Sequence, residues 1–262
     1  MATTPAEADN AITGTVMFYK APQPLSVEQH GKLGLRREDR PYAFAAEGHM
    51  TPLTVTEFAN AAGSFPIIFV GDDKTPVGVL GLNAGESLFA EKDGSYTTGA
   101  YIPAYIRRYP FVLANDEGQQ RMIVCIDRGS DLLVEGGEQP LFDDKGQPTE
   151  YTQNAIKFCD DFETERRRTE SFVKLLIELD LLERTQSQFT PTLPNGQPGQ
   201  PQLIAEFWGV SEEKLNKLPA DKYIQLRDNG ALSQIYAHLL SLNNWDKLIA
   251  IASSKSLAAN AA

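Results

Sequence analysis

Partway along the chain the periodicity of the apolar residues changes, and that change limits the fold more than any single motif does. Up to about residue 150 the apolar residues come in short β-branched runs, such as Ile67-Ile68-Phe69-Val70, Val77-Gly78-Val79-Leu80 and Met122-Ile123-Val124-Cys125-Ile126. Turn-forming residues punctuate them, so they read as buried strands. From about Thr152, Ile156, Cys159, Phe162, Phe172, Val173, Leu176 and Leu179 recur at steps of three and four, the repeat of an amphipathic helix. The expected class is α+β: a mostly antiparallel, β-rich N-terminal part and a helical C-terminal part sharing a core.

Residues 1–14 are small and polar and are expected to be disordered. Residues 15–150 form the β-rich part. A first strand is expected over 15–19, ended by Pro22 and Pro24. Thr54 and Glu57 have the spacing of a capping box, with Gly63 at the far end of a short helix. The runs 66–70 and 77–82 make one hairpin. A second pairs 111–114 with 120–127 around Asn115-Asp116-Glu117-Gly118, and residues 132–146 read as loop. Residues 151–252 form the helical part, led by a long helix over 152–183. Its charged middle supports Glu163–Arg167 and Glu165–Arg168 pairs. Prolines and glycines over 186–202 predict a long loop or an irregular hairpin. Ser211 caps a short helix that Pro219 stops, and further helices start near Asp221, Leu232 and Asn244. Residues 253–262 are expected to fray. The boundary near residue 150 is a shift in composition, and one domain overall also fits the length.

With 24 basic against 35 acidic residues the net charge is −11, which argues against nucleic acid and against an anionic membrane surface. No apolar run reaches the length of a membrane helix, and no N-terminal secretory pattern is present. A cytoplasmic location without membrane insertion is expected. Two cysteines are too few for a disulfide scaffold, and Cys125 reads as a small core residue. GxSxG, HExxH, P-loop and GxGxxG patterns are absent. His30, His49 and His238 have no metal-ligand spacing. No metal or cofactor is expected. His238 reads as a structural side chain on a helix.

The stretch from Tyr101 to Phe111 packs aromatics, two prolines and two adjacent arginines together. Pro103 is placed to begin a short helical turn and Pro110 to end it. Tyr101, Tyr105, Arg107, Arg108 and Tyr109 are the candidate binding residues, suited to a protein or peptide partner. The plainer reading has the tyrosines filling core and the arginines pairing with the acidic excess. The alternative function is an enzyme or enzyme subunit acting on a peptide or small acid. There His30 and Asp127, or Glu57, would be the acid–base pair, and Arg107 or Arg108 would hold a substrate carboxylate.

Several strings resemble the bacterial SapC family. They are Phe65-Pro66-Ile67-Ile68-Phe69, Gly81-Leu82, Leu88-Phe89, Gly94, Tyr101-Ile102-Pro103-Ala104 and, most specifically, Ile106-Arg107-Arg108-Tyr109-Pro110-Phe111. His30, Pro52-Leu53, Glu57-Phe58, Asp127, Leu141-Phe142 and Gly146 fit as well, as do Gly230-Ala231-Leu232, Ile235 to Leu239 and Ser241-Leu242. The chain departs from the pattern at Glu86-Ser87, where an asparagine is expected just before the leucine. The resemblance implies an association with surface-layer proteins and serum resistance. It also implies a link to proteins encoded near TonB-dependent receptors, halogenase-like flavoproteins and cupin-like proteins. It supplies no catalytic residues. The function expected is a non-catalytic cytoplasmic accessory protein, linked to surface-layer biogenesis or TonB-dependent uptake.

Overall fold

A computed structural model of the chain describes residues 16–116, 121–191 and 197–261. The expected disorder of residues 1–14 and the tip of the turn at Asn115–Gly118 lie outside the described residues. In chain order the elements are β1 (Pro22–Pro24), α1 (Val27–His30), β2 (Leu33–Leu35), β3 (Met50–Pro52), α2 (Phe58–Ala61), β4 (Ile67–Val70), β5 (Thr75–Val79), α3 (Ala104–Arg107), β6 (Phe111–Asp116), β7 (Arg121–Asp127), β8 (Leu133–Glu135) and β9 (Gln139–Pro140). They continue with α4 (Glu150–Glu178), β10 (Leu182–Phe189), β11 (Gln202–Val210), α5 (Glu212–Asn216), α6 (Ala220–Asp228), α7 (Ala231–Ser241) and α8 (Asn244–Ala261). Helix makes up 37% and strand 24%, the sheets are antiparallel, and the long helices follow Glu150, so the protein is α+β.

The chain forms two compact units that are not its sequential halves. One comprises residues 1–38 and 108–160, the other 39–107 and 161–262. The composition shift near residue 150 therefore marks the start of α4 and not a boundary between the units.

The first unit holds two three-stranded sheets, ordered β1-β7-β6 and β8-β2-β9. The expected 111–127 hairpin is present, with Val112 opposite Cys125 and Phe111 opposite Ile126. Two expectations are corrected here. Residues 16–19 do not form a strand, and Phe18 takes a left-handed φ of 74° that no strand accommodates. The strand comes later, at Pro22–Pro24, paired with Cys125–Asp127. Proline is admissible there because β1 is an edge strand, with one side free of any ladder. The stretch read as loop contributes β8 and β9, which clasp β2 from both sides. A Cβ on Gly34 would stand 2.7 Å from the Gly137 carbonyl oxygen, so only glycine permits that clasp. Leu33, Leu35, Phe111, Ile126, Leu133, Leu141 and Cys159 form the core beneath.

The second unit is built on a five-stranded sheet ordered β10-β11-β4-β5-β3. Strand β4 is central, as its unbroken apolar run requires, and Ile67, Ile68 and Phe69 are all buried. Phe58 packs edge-on against Phe69 and Phe172. The capping box forms between Thr54 and Glu57. Helix α4 stops at Glu178, short of the expected 183, because Asp180 turns left-handed (φ 50°) and leads the chain into β10. Both expected charge pairs of α4 are present, at 3.2 Å for Glu163–Arg167 and 3.8 Å for Glu165–Arg168. The 186–202 segment is a hairpin of β10 and β11, with an irregularity in register after Ser187. Its residues 192–196 lie outside the described residues. Ser211 caps α5. Helix α8 runs on to Ala261, through the tail expected to fray.

Candidate binding site

Pro103 opens α3 as expected, its carbonyl accepting from the N–H groups of Ile106 (3.0 Å) and Arg107 (2.9 Å). The helix is held at its start by Glu57. This buried carboxylate accepts from the Thr54 N–H and hydroxyl (2.8 Å each), the Ala104 N–H (2.7 Å) and the Tyr101 hydroxyl (3.1 Å). One side chain thus closes the capping box of residues 54–57 and caps a second helix 47 residues away. Arg107 is exposed, and its guanidinium donates to the Ile102 carbonyl (3.0 Å) and the Tyr101 hydroxyl (3.3 Å). Burial, reinforced by the Glu57 charge, pushes the Tyr101 phenol up to about 12. Tyr105 is 9% exposed and packs edge-on against Phe162, so it belongs to the core and not to a surface.

The five candidate residues divide between the two units. Tyr101, Tyr105 and Arg107 lie in the second, Arg108 and Tyr109 in the first. In the first unit Arg108 lies over the ring of Tyr19 (5.8 Å), which meets Tyr109 edge-on. Tyr109 donates its hydroxyl to Asp127 (3.1 Å). Burial, with the Asp127 charge beside it, raises the Tyr109 phenol above its ordinary value.

Asp127 is a fully buried hub. Its two oxygens accept from the N–H groups of Lys20 (3.0 Å), Ala21 (2.7 Å) and Gly129 (3.1 Å) as well as from Tyr109. His30 is also fully buried, at the end of α1, where its Nδ1 lies 3.1 Å from the Ser26 carbonyl. Burial and the nearby Arg128 charge lower its pKa. No hydrogen bond joins His30 to Asp127.

Sequence reasoning missed how much of the second unit depends on His238. Its Nε2 accepts from the Val210 N–H (3.0 Å), so in the neutral ring Nδ1 is the donor, to the Ile67 carbonyl (2.9 Å). Three residues on, Ser241 accepts from the Ile67 N–H (2.9 Å). Strands β4 and β11 pair at Phe69–Trp208. The next rung of that antiparallel register would join Ile67 to Val210, and His238 bridges that pair instead. Burial drives its pKa down to about 4.

A pocket of about 400 Å3 opens in the same unit, between the β4–β5 turn and the β10–β11 hairpin. Lys74 and Trp208 face each other in it. Its only signal in the sequence is the polar turn Gly71-Asp72-Asp73-Lys74. Among the described residues no three metal-ligating side chains cluster, and no helix is long and apolar enough to cross a membrane.

The protein is thus α+β, with Glu57 and Asp127 as hydrogen-bonded carboxylate hubs and Arg107 set beside Tyr101. The SapC family model matches residues 25–248, and the chain belongs to that family. No curated protein and no solved structure matches it. At the departure from the family pattern, the Ser87 hydroxyl accepts from the N–H groups of Phe89 (3.2 Å) and Ala90 (3.0 Å), a local cap that asparagine also makes.

Proposed function

We propose that the chain is a non-catalytic accessory protein of the cytoplasm that binds a protein or peptide partner. The observation that carries this reading is Arg107. Its exposed guanidinium is held by the Ile102 carbonyl and by a tyrosine that Glu57 fixes in turn. An arginine positioned beside an aromatic is the pairing that protein interfaces favour, and its planar fork suits a partner's carboxylate. The two carboxylates that acid–base chemistry would draw on are engaged elsewhere. Asp127 and Glu57 each accept four hydrogen bonds, and both nitrogens of His238 bond backbone. Burial pushes the Cys125 and Cys159 thiols up to about 11, away from the thiolate a nucleophile needs. The family resemblance links such a partner to surface-layer biogenesis or TonB-dependent uptake.

The test is affinity capture from lysate of the native organism, with parent, Arg107→Ala and Arg108→Ala chains. A stoichiometric protein partner is expected, with recovery falling about tenfold for Arg107→Ala and the circular dichroism spectrum unchanged. If both variants lose structure, the arginines are structural and the reading fails. A retained small molecule or metal with no protein partner would replace it with the enzymatic reading.

A further inference from the structure

The turn between β4 and β5 spends a strained backbone position on a lysine. Lys74 has φ 53°, the left-handed region that glycine or asparagine fills at least cost. Its ammonium stands 4.1 Å from the centre of the Trp208 ring and donates to the carbonyls of Gly71 and Asp72 at 3.3 Å each. Among the described residues it makes no ion pair, although the chain carries a net charge of −11 and Asp72 and Glu206 line the same pocket. Arg184, on the opposite wall, is already held by Glu206 at 3.3 Å. The cation left for a ligand is therefore Lys74.

The backbone beside it is also incomplete. Strand β4 ends at Val70, while β11 extends from the Trp208–Phe69 pair back to Gln202. Alternate residues of a strand direct their peptide groups to the same neighbour. The Val210 N–H points to the β4 side, where His238 receives it, and Trp208 pairs with Phe69 there. Glu206, two residues further, accordingly turns its N–H and carbonyl to the edge that β4 has vacated.

We propose that this notch binds the C-terminal end of an extended peptide. The chain-end carboxylate sits on the Lys74 ammonium, and the last peptide group pairs with Glu206, the peptide running parallel to β11 toward the turn. Strand addition supplies the backbone bonds and the ammonium reads the terminus. This names the partner chemistry of the accessory function above and rests on that reading.

The experiment uses the full chain and an array of short random peptides tethered by their N-termini, each made as the free acid and as the C-terminal amide. Binding is followed on the array, and for recovered peptides by the change in tryptophan fluorescence, to which Trp208 and Trp245 both contribute. A set of free-acid peptides is expected to bind, with amidation weakening them at least about tenfold. Lys74→Gly is expected to weaken them equally while melting no lower than the parent, because glycine relieves the left-handed strain. That combination separates a ligand contact from a structural one. The proposal is overturned if no peptide binds, if amides bind as well as acids, if Lys74→Gly binds as the parent does, or if succinate competes as strongly as the free-acid peptides. Failure on the array, with an Arg107-dependent partner still captured by both parent and Lys74→Gly, sinks the notch and leaves the accessory reading standing. An array that succeeds where capture yields no partner does the reverse.

Discussion

Each compact unit buries one histidine completely, and the two are used in opposite ways. His238 replaces a rung of the central sheet and satisfies one carbonyl and one N–H, on two different strands. His30 makes only a local contact with Ser26, four residues back, and its Nε2 is buried with no hydrogen-bond partner. Equal burial thus hides unequal worth. A buried polar group stabilises in proportion to the directed partners it would leave unmet, and an orphaned atom is itself a cost.

Replacing each histidine by leucine sharpens the contrast. His238→Leu strands the Ile67 carbonyl and the Val210 N–H in the core. A loss of about 4 kcal/mol is expected, from one to three for each unmet group, read by urea unfolding. Comparable losses in both leucine variants would break the comparison.

Acid should produce the next largest effect. The folded protein holds the His238 pKa near 4, against 6.5 for the free side chain. The folded state therefore favours the neutral ring. The stability this contributes is complete above pH 6.5 and is lost as the pH falls toward 4. Between pH 7 and pH 4 the loss is about 3 kcal/mol. His238→Leu should flatten most of that dependence. His30, whose pKa is also lowered, leaves a residual slope of the same sign. A parent whose urea midpoint holds steady across this range would refute the neutral bridge.

The smallest effect is expected at His30. His30→Leu removes an orphaned nitrogen along with one local bond, so the change should stay within about 1 kcal/mol. A loss of several would mean that Nε2 has a partner in solution, and rescue by glutamine but not by methionine would identify it as polar.

Much of the secondary structure was legible. The Thr54–Glu57 capping box, the 66–79 and 111–127 hairpins, the Ser211 cap and the charge pairs of α4 all follow from residues close in sequence, whose interactions need no knowledge of the fold. The misreadings share one cause. Pro22 and Pro24 signal a break, and only the placement of β1 on a sheet edge makes them strand residues. Residues 133–140 look like loop until β2 lies between them. Tyr105 and Arg107 are near neighbours in one motif, yet the first packs on Phe162 and the second faces solvent. The surface read from the Tyr101–Tyr109 string was legible as composition and not as geometry, since the string crosses from one unit to the other after Arg107.

By itself the sequence determined the fold class, the order of most elements, the local caps and the family, because periodicity and short-range hydrogen bonds are written into neighbouring residues. Tertiary structure alone decided the division into discontinuous units, the Glu57 link to a second helix and the His238 bridge between strands. It also placed Lys74 against Trp208. Each of these joins groups far apart in the chain, 47 residues in the case of Glu57 and Ala104 and 171 for His238 and Ile67. Such pairings are set by packing and by the need to satisfy buried polar groups, which no local pattern encodes.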